Sequence, residues 1–444
     1  MNYTMNQLKM ELFIFVNSAI IHGQSFSRRN AGGLAIMKSN EQALEAVCTA
    51  VRIILENGGE IYRAEETAEY MCAGFHLDDA QVFAMPTGVV MTVQSEGDTC
   101  TRLVRVHSRG INLEKLNRCN GVSRAVAGGA MNAEQALKEL RNIESAAGWK
   151  LWVMILACAF SSAFFCVMFN GGIKEFLVTF ACGAICQICM CIYSKHRVPT
   201  LLSAMSMGFL SALGVLFCSL FIPDLKTEPA ISGALMPFVS GLAMTTAIRD
   251  TIKGDLVSGG ARLIEAFMTA VMLAVGAGIM LRMWAGNVQS NAEEIHVVWR
   301  LTGCFLASMA FCFLLNQPVK TIPLSGLLGT AGYAIFMVLN QGMIAYFVAG
   351  LLISVSCEIM ARCMKCTATM LITSCLIPLV PGLGLYRTML WITQGSYRRG
   401  AETGVDALLG ILAIAMSVTI TMLIFDGINK VKNKKNAVQG GKIH

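Results

Sequence analysis

The chain has 444 residues, of which 55% are hydrophobic and only 14% charged, against about 25% charge in an average soluble domain, and this composition excludes an ordinary soluble protein. The net charge of +7 is spread thinly between apolar runs, apart from a short basic tail, which excludes the clustered basic face of a nucleic-acid binder. Most of the 17 cysteines sit inside apolar stretches, where a thiol acts as a small hydrophobe and not as part of a disulfide framework.

Residues 1–40 read as an N-terminal extension of uncertain role. Their apolar run ELFIFVNSAII (11–21) is shorter than the ~20 residues a bilayer span needs. No small-residue cleavage site follows it before Arg28 and Arg29.

Residues 41–148 are expected to form a small cytoplasmic α/β domain. Leu44, Val47, Cys48, Val51, Ile54 and Leu55 recur at helical spacing, and Gly58-Gly59 ends that helix. A second helix runs from about Glu60 to Gly74. Three β-branched runs follow, QVFAMP, GVVMTVQS and CTRLVRVHS, divided by Pro86-Thr87-Gly88 and Glu96-Gly97-Asp98, and they predict an antiparallel meander. Asn112 and Asn132 are placed to cap two further helices. Glu56, Glu60, Arg63, Glu65, Glu66 and His107 would be the residues of an acid/base site, but no nucleophile, phosphate-binding or metal motif accompanies them. A solvated charged face is the reading preferred here.

From Trp149 the pattern changes. Apolar runs at about 149–170, 174–193, 199–222, 230–249, 262–281, 297–316, 320–339, 342–361, 367–391 and 404–425 give about ten transmembrane helices. Pro378 and Pro381 break or kink the run at 367–391. The tail, 426–444, carries Lys430, Lys432, Lys434, Lys435 and Lys442, so the positive-inside rule places both termini in the cytoplasm of a cell (plasma or inner) membrane protein. Arg398 and Arg399 fall on the outer side in that scheme and count against it.

The membrane part repeats. A shift of 141 residues lays PFVSGL (237–242) on PLVPGL (378–383), and within 237–266 seven of 30 positions are identical: Pro237, Val239, Gly241, Leu242, Gly254, Gly259 and Ala266. Chance in so restricted an alphabet would give roughly two or three. The same shift lays Glu265 on Asp406. Residues 149–281 and 297–425 would then be two repeats of five helices each. An odd number inverts the second against the first, the architecture of many secondary transporters, with the substrate site at the repeat interface beside broken helices.

At these residues the chain also resembles a known family. ENGGEIYRAEET (56–67), MPTGVV (85–90), LEKLN (113–117), MPFVSGLAMTTAIRDTIKGDLVSGGARLIEA (236–266) and VPGLGLYRTM (380–389) resemble the threonine/serine exporter family over residues 41–425, with two halves fused that are separate chains in some members. The resemblance implies export of small amino acids driven by an ion gradient. Some split relatives are associated with dicarboxylate export instead.

The candidate transport residues are the intramembrane or membrane-edge charges. Arg249, Asp250 and Asp255, with Lys253, form a candidate ion-paired gate. Glu265 and Asp406 are candidate proton-coupling acids, because a carboxylate within a span normally faces a cavity or a partner. Arg387 could hold a substrate carboxylate with its planar fork, or pair with Asp406. Pro237, Gly241, Gly254, Gly259, Pro378, Pro381 and Gly382 are the helix-breaking and packing positions. Cys186-x-x-Cys189 and Cys363-x-x-Cys366 lack the other ligands a metal site needs.

The expected fold is therefore a predominantly α-helical polytopic membrane protein, about ten transmembrane helices as a 5+5 inverted repeat preceded by a small α/β domain. The expected function is proton-coupled secondary export of threonine or serine. The alternatives are an exporter of small dicarboxylates such as succinate, and a membrane-anchored hydrolase using the N-terminal domain. Expected partners are the amino-acid substrate, protons and the lipid bilayer, with a homo-oligomer compatible and no nucleic acid. No cofactor, catalytic residue or metal is expected.

Overall fold

A computed structural model describes residues 31–95, 98–106, 110–239, 241–284, 295–364 and 366–440. The apolar run at 11–21 and His107 lie outside them. The chain divides into two compact units, one comprising Met1–Arg109 with Arg118–Ala146, the other Gly110–Asn117 with Ala147–His444.

In the first unit the helical stripe forms α1 (Ala31–Glu56), whose Leu44, Val47, Val51, Ile54 and Leu55 are all buried. Gly58 turns the chain with φ of 84°, in the left-handed region where a side chain would be strained. Helix α2 (Ile61–Gly74) buries Ile61, Ala64, Ala68 and Met71. The three β-branched runs pair as β1 (Asp78–Met85), β2 (Gly88–Ser95) and β3 (Asp98–Arg105), an antiparallel meander in that order. Ala84, Val89, Met91 and Val93 are buried, while Phe83 and Leu103 are exposed, so alternation divides the sheet into two faces.

Helix α3 (Leu113–Ala127) starts at Asn112, whose Oδ1 accepts from the Lys115 amide at 3.0 Å. Helix α4 (Ala133–Ser145) starts with a capping box: Asn132 Oδ1 accepts from Gln135 N at 2.9 Å, and Gln135 Oε1 accepts from Asn132 N at 3.2 Å.

The second unit follows the apolar runs: α5 (Leu151–Met168), α6 (Ile173–Lys195), α7 (Thr200–Ser219), α8 (Thr227–Leu235), α9 (Gly241–Ile252), α10 (Leu256–Met283), α11 (Val297–Leu314), α12 (Ile322–Val338), α13 (Met343–Met364), α14 (Ala368–Cys375), α15 (Gly382–Thr393) and α16 (Tyr397–Gly440). Among the described residues eight helices are long and apolar enough to cross a membrane, nine if α14 and α15 form one bent span. The expected span at 230–249 is broken into pieces each too short to cross a membrane alone. That run is not one helix but α8, a 3-10 turn at Met236–Phe238 and α9. Pro237 sits in the first turn of the 3-10 segment and supplies no amide donor, so the helical ladder is interrupted there.

The second broken helix is built the same way. Helices α8, α9 and α10 and the 3-10 turn start at Thr227, Gly241, Leu256 and Met236; α14, α15, α16 and the turn Ile377–Leu379 start 141 residues later, at Ala368, Gly382, Tyr397 and Ile377. The turns into α10 and α16 each use a left-handed glycine, Gly254 with φ of 109° and Gly395 with φ of 79°.

Candidate functional site

The prolines place the site. Pro378 sits inside the 3-10 turn and Pro381 stands at the start of α15, so the helical ladder is interrupted between α14 and α15. This break borders a cavity of about 650 Å³ inside the second unit. Four charged side chains line it: Glu228 from α8, Arg300 from α11, Arg387 from α15 and Asp406 from α16. Two guanidinium groups thus face two carboxylates, and the lining contains no Lys or His.

The four groups are not equivalent. Arg387 Nε donates to Glu228 Oε1 at 2.7 Å, with Glu228 only 8% exposed. This bridge joins the two broken segments, and it replaces the Arg387–Asp406 pairing considered from sequence. Arg300 is held by neutral acceptors: its Nε donates to the Met168 carbonyl at 3.4 Å and its Nη2 to the Tyr333 hydroxyl at 3.2 Å. Among the described residues neither Arg300 nor Asp406 has an ion-pair partner.

The other sequence candidates gather elsewhere. Asp250 is fully buried and Arg249 nearly so, and Arg262 Nη1 reaches Asp250 Oδ2 at 3.3 Å. Arg249 Nη1 approaches Met422 Sδ at 3.5 Å, so this cluster lies among α9, α10 and α16 and does not line the cavity. Asp255 stands at the start of α10, half-buried, with no side-chain cap hydrogen bond. Glu265 lies on an exposed face of α10 and is not part of the cavity wall. Glu265 and Asp406, matched in sequence, are therefore unequal in surroundings.

The small residues serve approach. A side chain on Gly382 would meet Met236 Sδ at 2.7 Å, so the two broken segments touch there. Gly259 packs α10 against Thr251 and Ala247 of α9, and Gly400, 141 residues on, packs α16 against Ile392 and Thr388 of α15. Gly241 opens α9.

Sequence reasoning missed Glu228, Arg300 and Tyr333. Arg300 carried a signal, since a lone arginine inside the start of an apolar run needs a partner or a cavity. Glu228 carried none, because it lies in the polar edge between two runs. Glu358 and Arg362, by contrast, pair at 3.6 Å one helical turn apart, as their spacing suggests.

In the first unit Glu60, Arg63 and Glu65 are held by an ion pair and a hydrogen bond, and Glu60 is buried, not solvated as the sequence suggested. Glu60 pairs with Arg63 at 2.9 Å, and Glu65 Oε1 accepts from the Ala84 amide at 2.8 Å, tying α2 to β1. Among the described residues no group of three or more His, Cys, Asp or Glu side chains is gathered to hold a metal ion.

Comparison with known proteins gives the family. Residues 45–284 match the family described as "Putative threonine/serine exporter", and residues 300–424 match "Threonine/Serine exporter, ThrE". The threonine/serine exporter of Corynebacterium glutamicum is 24% identical over 63% of this chain and 60% of its own length. The "Probable succinate transporter subunit YjjP" of Escherichia coli is 22% identical over 55% of this chain and 96% of its own. The "Probable threonine/serine exporter" of Mycobacterium tuberculosis is 19% identical over 88% of this chain and 77% of its own. No solved structure matches.

Proposed function

Because the chain belongs to the threonine/serine exporter family, we propose that this multi-pass membrane exporter moves small zwitterionic amino acids such as threonine and serine through the cavity beside the α14–α15 break. The observation that carries this reading is the charge balance of the wall. Two arginines and two acids sum to zero, which suits a zwitterion. A dianion such as succinate would have to leave water for a site with no net positive charge, at high desolvation cost. Dicarboxylate export is the second reading, supported by the two guanidinium groups and by the succinate transporter relatives.

The cycle we infer is proton antiport in a plasma or inner membrane, with both termini cytoplasmic and residues 149–281 and 297–425 as inverted repeats. The constant offset of 141 between the broken helices and the bridge between them support alternating access, in which paired elements exchange roles across the membrane. The buried Asp250–Arg262 pair is then a gate on the first-repeat side.

Counterflow of labelled threonine, serine and succinate in proteoliposomes tests the reading. Threonine and serine are expected to exchange and succinate not. Exchange of succinate alone would establish the dicarboxylate reading in its place.

A further inference from the structure

Arg387 is the obvious anchor for a substrate carboxylate, yet its charge is already met by the Glu228 carboxylate, to which its Nε donates at 2.7 Å, whereas the acceptors that hold Arg300 are neutral. Arg300 is the wall's other cation. Two of its donors are fixed by Met168 O and Tyr333 Oη, which orients the guanidinium plane, and a guanidinium carries further N–H groups beyond those two. Asp406 is likewise the acid that no arginine among the described residues neutralises. The geometry points to a two-pole site in which Arg300, positioned by Tyr333, binds the substrate carboxylate, while Asp406 accepts the substrate ammonium or a proton but not both.

This assignment rests on the amino-acid export reading and deepens it to the coupling step. When the ammonium arrives from one side, Asp406 gives its proton to water on that side; when substrate departs on the other, the carboxylate takes a proton from water there. One acceptor for two cations makes their movements exclusive, and exclusive occupancy is what exchange requires. The Glu228–Arg387 bridge ties the two broken segments together.

Other charges facing Asp406 are few. Tyr346 comes from α13, Arg387 from α15, Glu228 from α8, Arg300 from α11 and Tyr333 from α12. On α16 itself Glu402 is paired with Arg398 at 3.0 Å, and Arg399 stacks on Trp391. From α9, Arg249 meets α16 at Met422, about 24 Å along the helix axis from Asp406, and Asp250 is paired with Arg262.

The test uses the full chain in proteoliposomes, with labelled threonine counterflow competed by unlabelled threonine, threonine methyl ester (no carboxylate) and N-acetylthreonine (no ammonium). In the unmodified protein both analogues should compete about tenfold or more weakly than threonine, the worth of one charge-assisted contact. Raising the proton concentration should weaken apparent threonine affinity, because proton and ammonium compete for one acceptor.

Arg300→Gln should lose discrimination against the ester and keep it against N-acetylthreonine; Asp406→Asn should do the reverse and flatten the pH dependence. Tyr333→Phe, a smaller change that keeps the ring, should lose part of the ester discrimination, and it decides the carboxylate pole if Arg300→Gln does not fold. Asp406→Glu, which keeps the charge, should retain the pH dependence. Arg387→Gln should slow exchange while keeping both discriminations. The assignment is overturned if Arg300→Gln and Tyr333→Phe keep full ester discrimination, if Asp406→Asn keeps the pH slope, or if Arg387→Gln alone abolishes ester discrimination. Absence of threonine counterflow in the unmodified protein overturns the amino-acid reading itself, a result separable from unchanged variants in a protein that does exchange threonine.

Discussion

Asp406 and Glu265 show how far one side chain's role depends on what surrounds it. They occupy matched positions in the repeat, but Asp406 faces the charged cavity and Glu265 lies outside it. Uphill threonine export driven by a proton gradient should therefore be abolished in Asp406→Asn and keep most of its rate in Glu265→Gln. Equal losses in the two variants would mean that coupling is not confined to the cavity. In the first unit, burial pushes the thiols of Cys48, Cys72 and Cys119 up to about 11, about 12 and about 12, from an ordinary 9.0. The folded state favours the protonated thiol, so this contribution to stability is complete below about pH 9. It is lost as pH rises from there toward 12, because the unfolded chain ionises first. Exposed Cys100 should be alkylated by iodoacetamide at mildly alkaline pH while Cys119 stays protected, and mass spectrometry of the labelled chain reads the difference.

At the scale of elements, two devices decide where helices stop. Gly254 and Gly395 hold left-handed backbone at the turns into α10 and α16, so Ala at either should cost about 1–2 kcal/mol. Both substitutions should lower the thermal midpoint in detergent by similar amounts, and a neutral effect at one of them would separate the two turns. Asn132→Ala removes the α4 capping box and should cost about 1 kcal/mol, seen as earlier hydrogen exchange in α4. The elements of the first unit were legible because each carries local chemistry: Asn caps, a glycine stop, period-2 runs. The run at 230–249 was legible as apolar but not as two helices, because hydropathy counts residues and does not register a missing amide at Pro237.

For the whole molecule, the Lys-rich tail and the basic residues near Lys195 and Arg362 favour the proposed orientation, with Arg398 and Arg399 against it. A reporter active only outside the cytoplasm, fused after Lys442, should be silent. Strong activity there would overturn the proposed cytoplasmic placement of the C-terminus.

Sequence by itself determined the membrane class, the α/β unit, the 141-residue offset and the proline breaks, because these follow from composition, periodicity and residue types along the chain. It also supplied the resemblance that the family comparison bears out. Only the tertiary structure decided partners. Glu228 and Arg387 are 159 residues apart and Arg300 and Tyr333 are 33 apart, and no local rule pairs them. Ion pairs across a folded unit depend on which helix faces cross, and that is set by packing of all the helices together. For the same reason Asp250 joins Arg262 on another helix, and Asp406 is left facing the cavity without a cationic partner among the described residues.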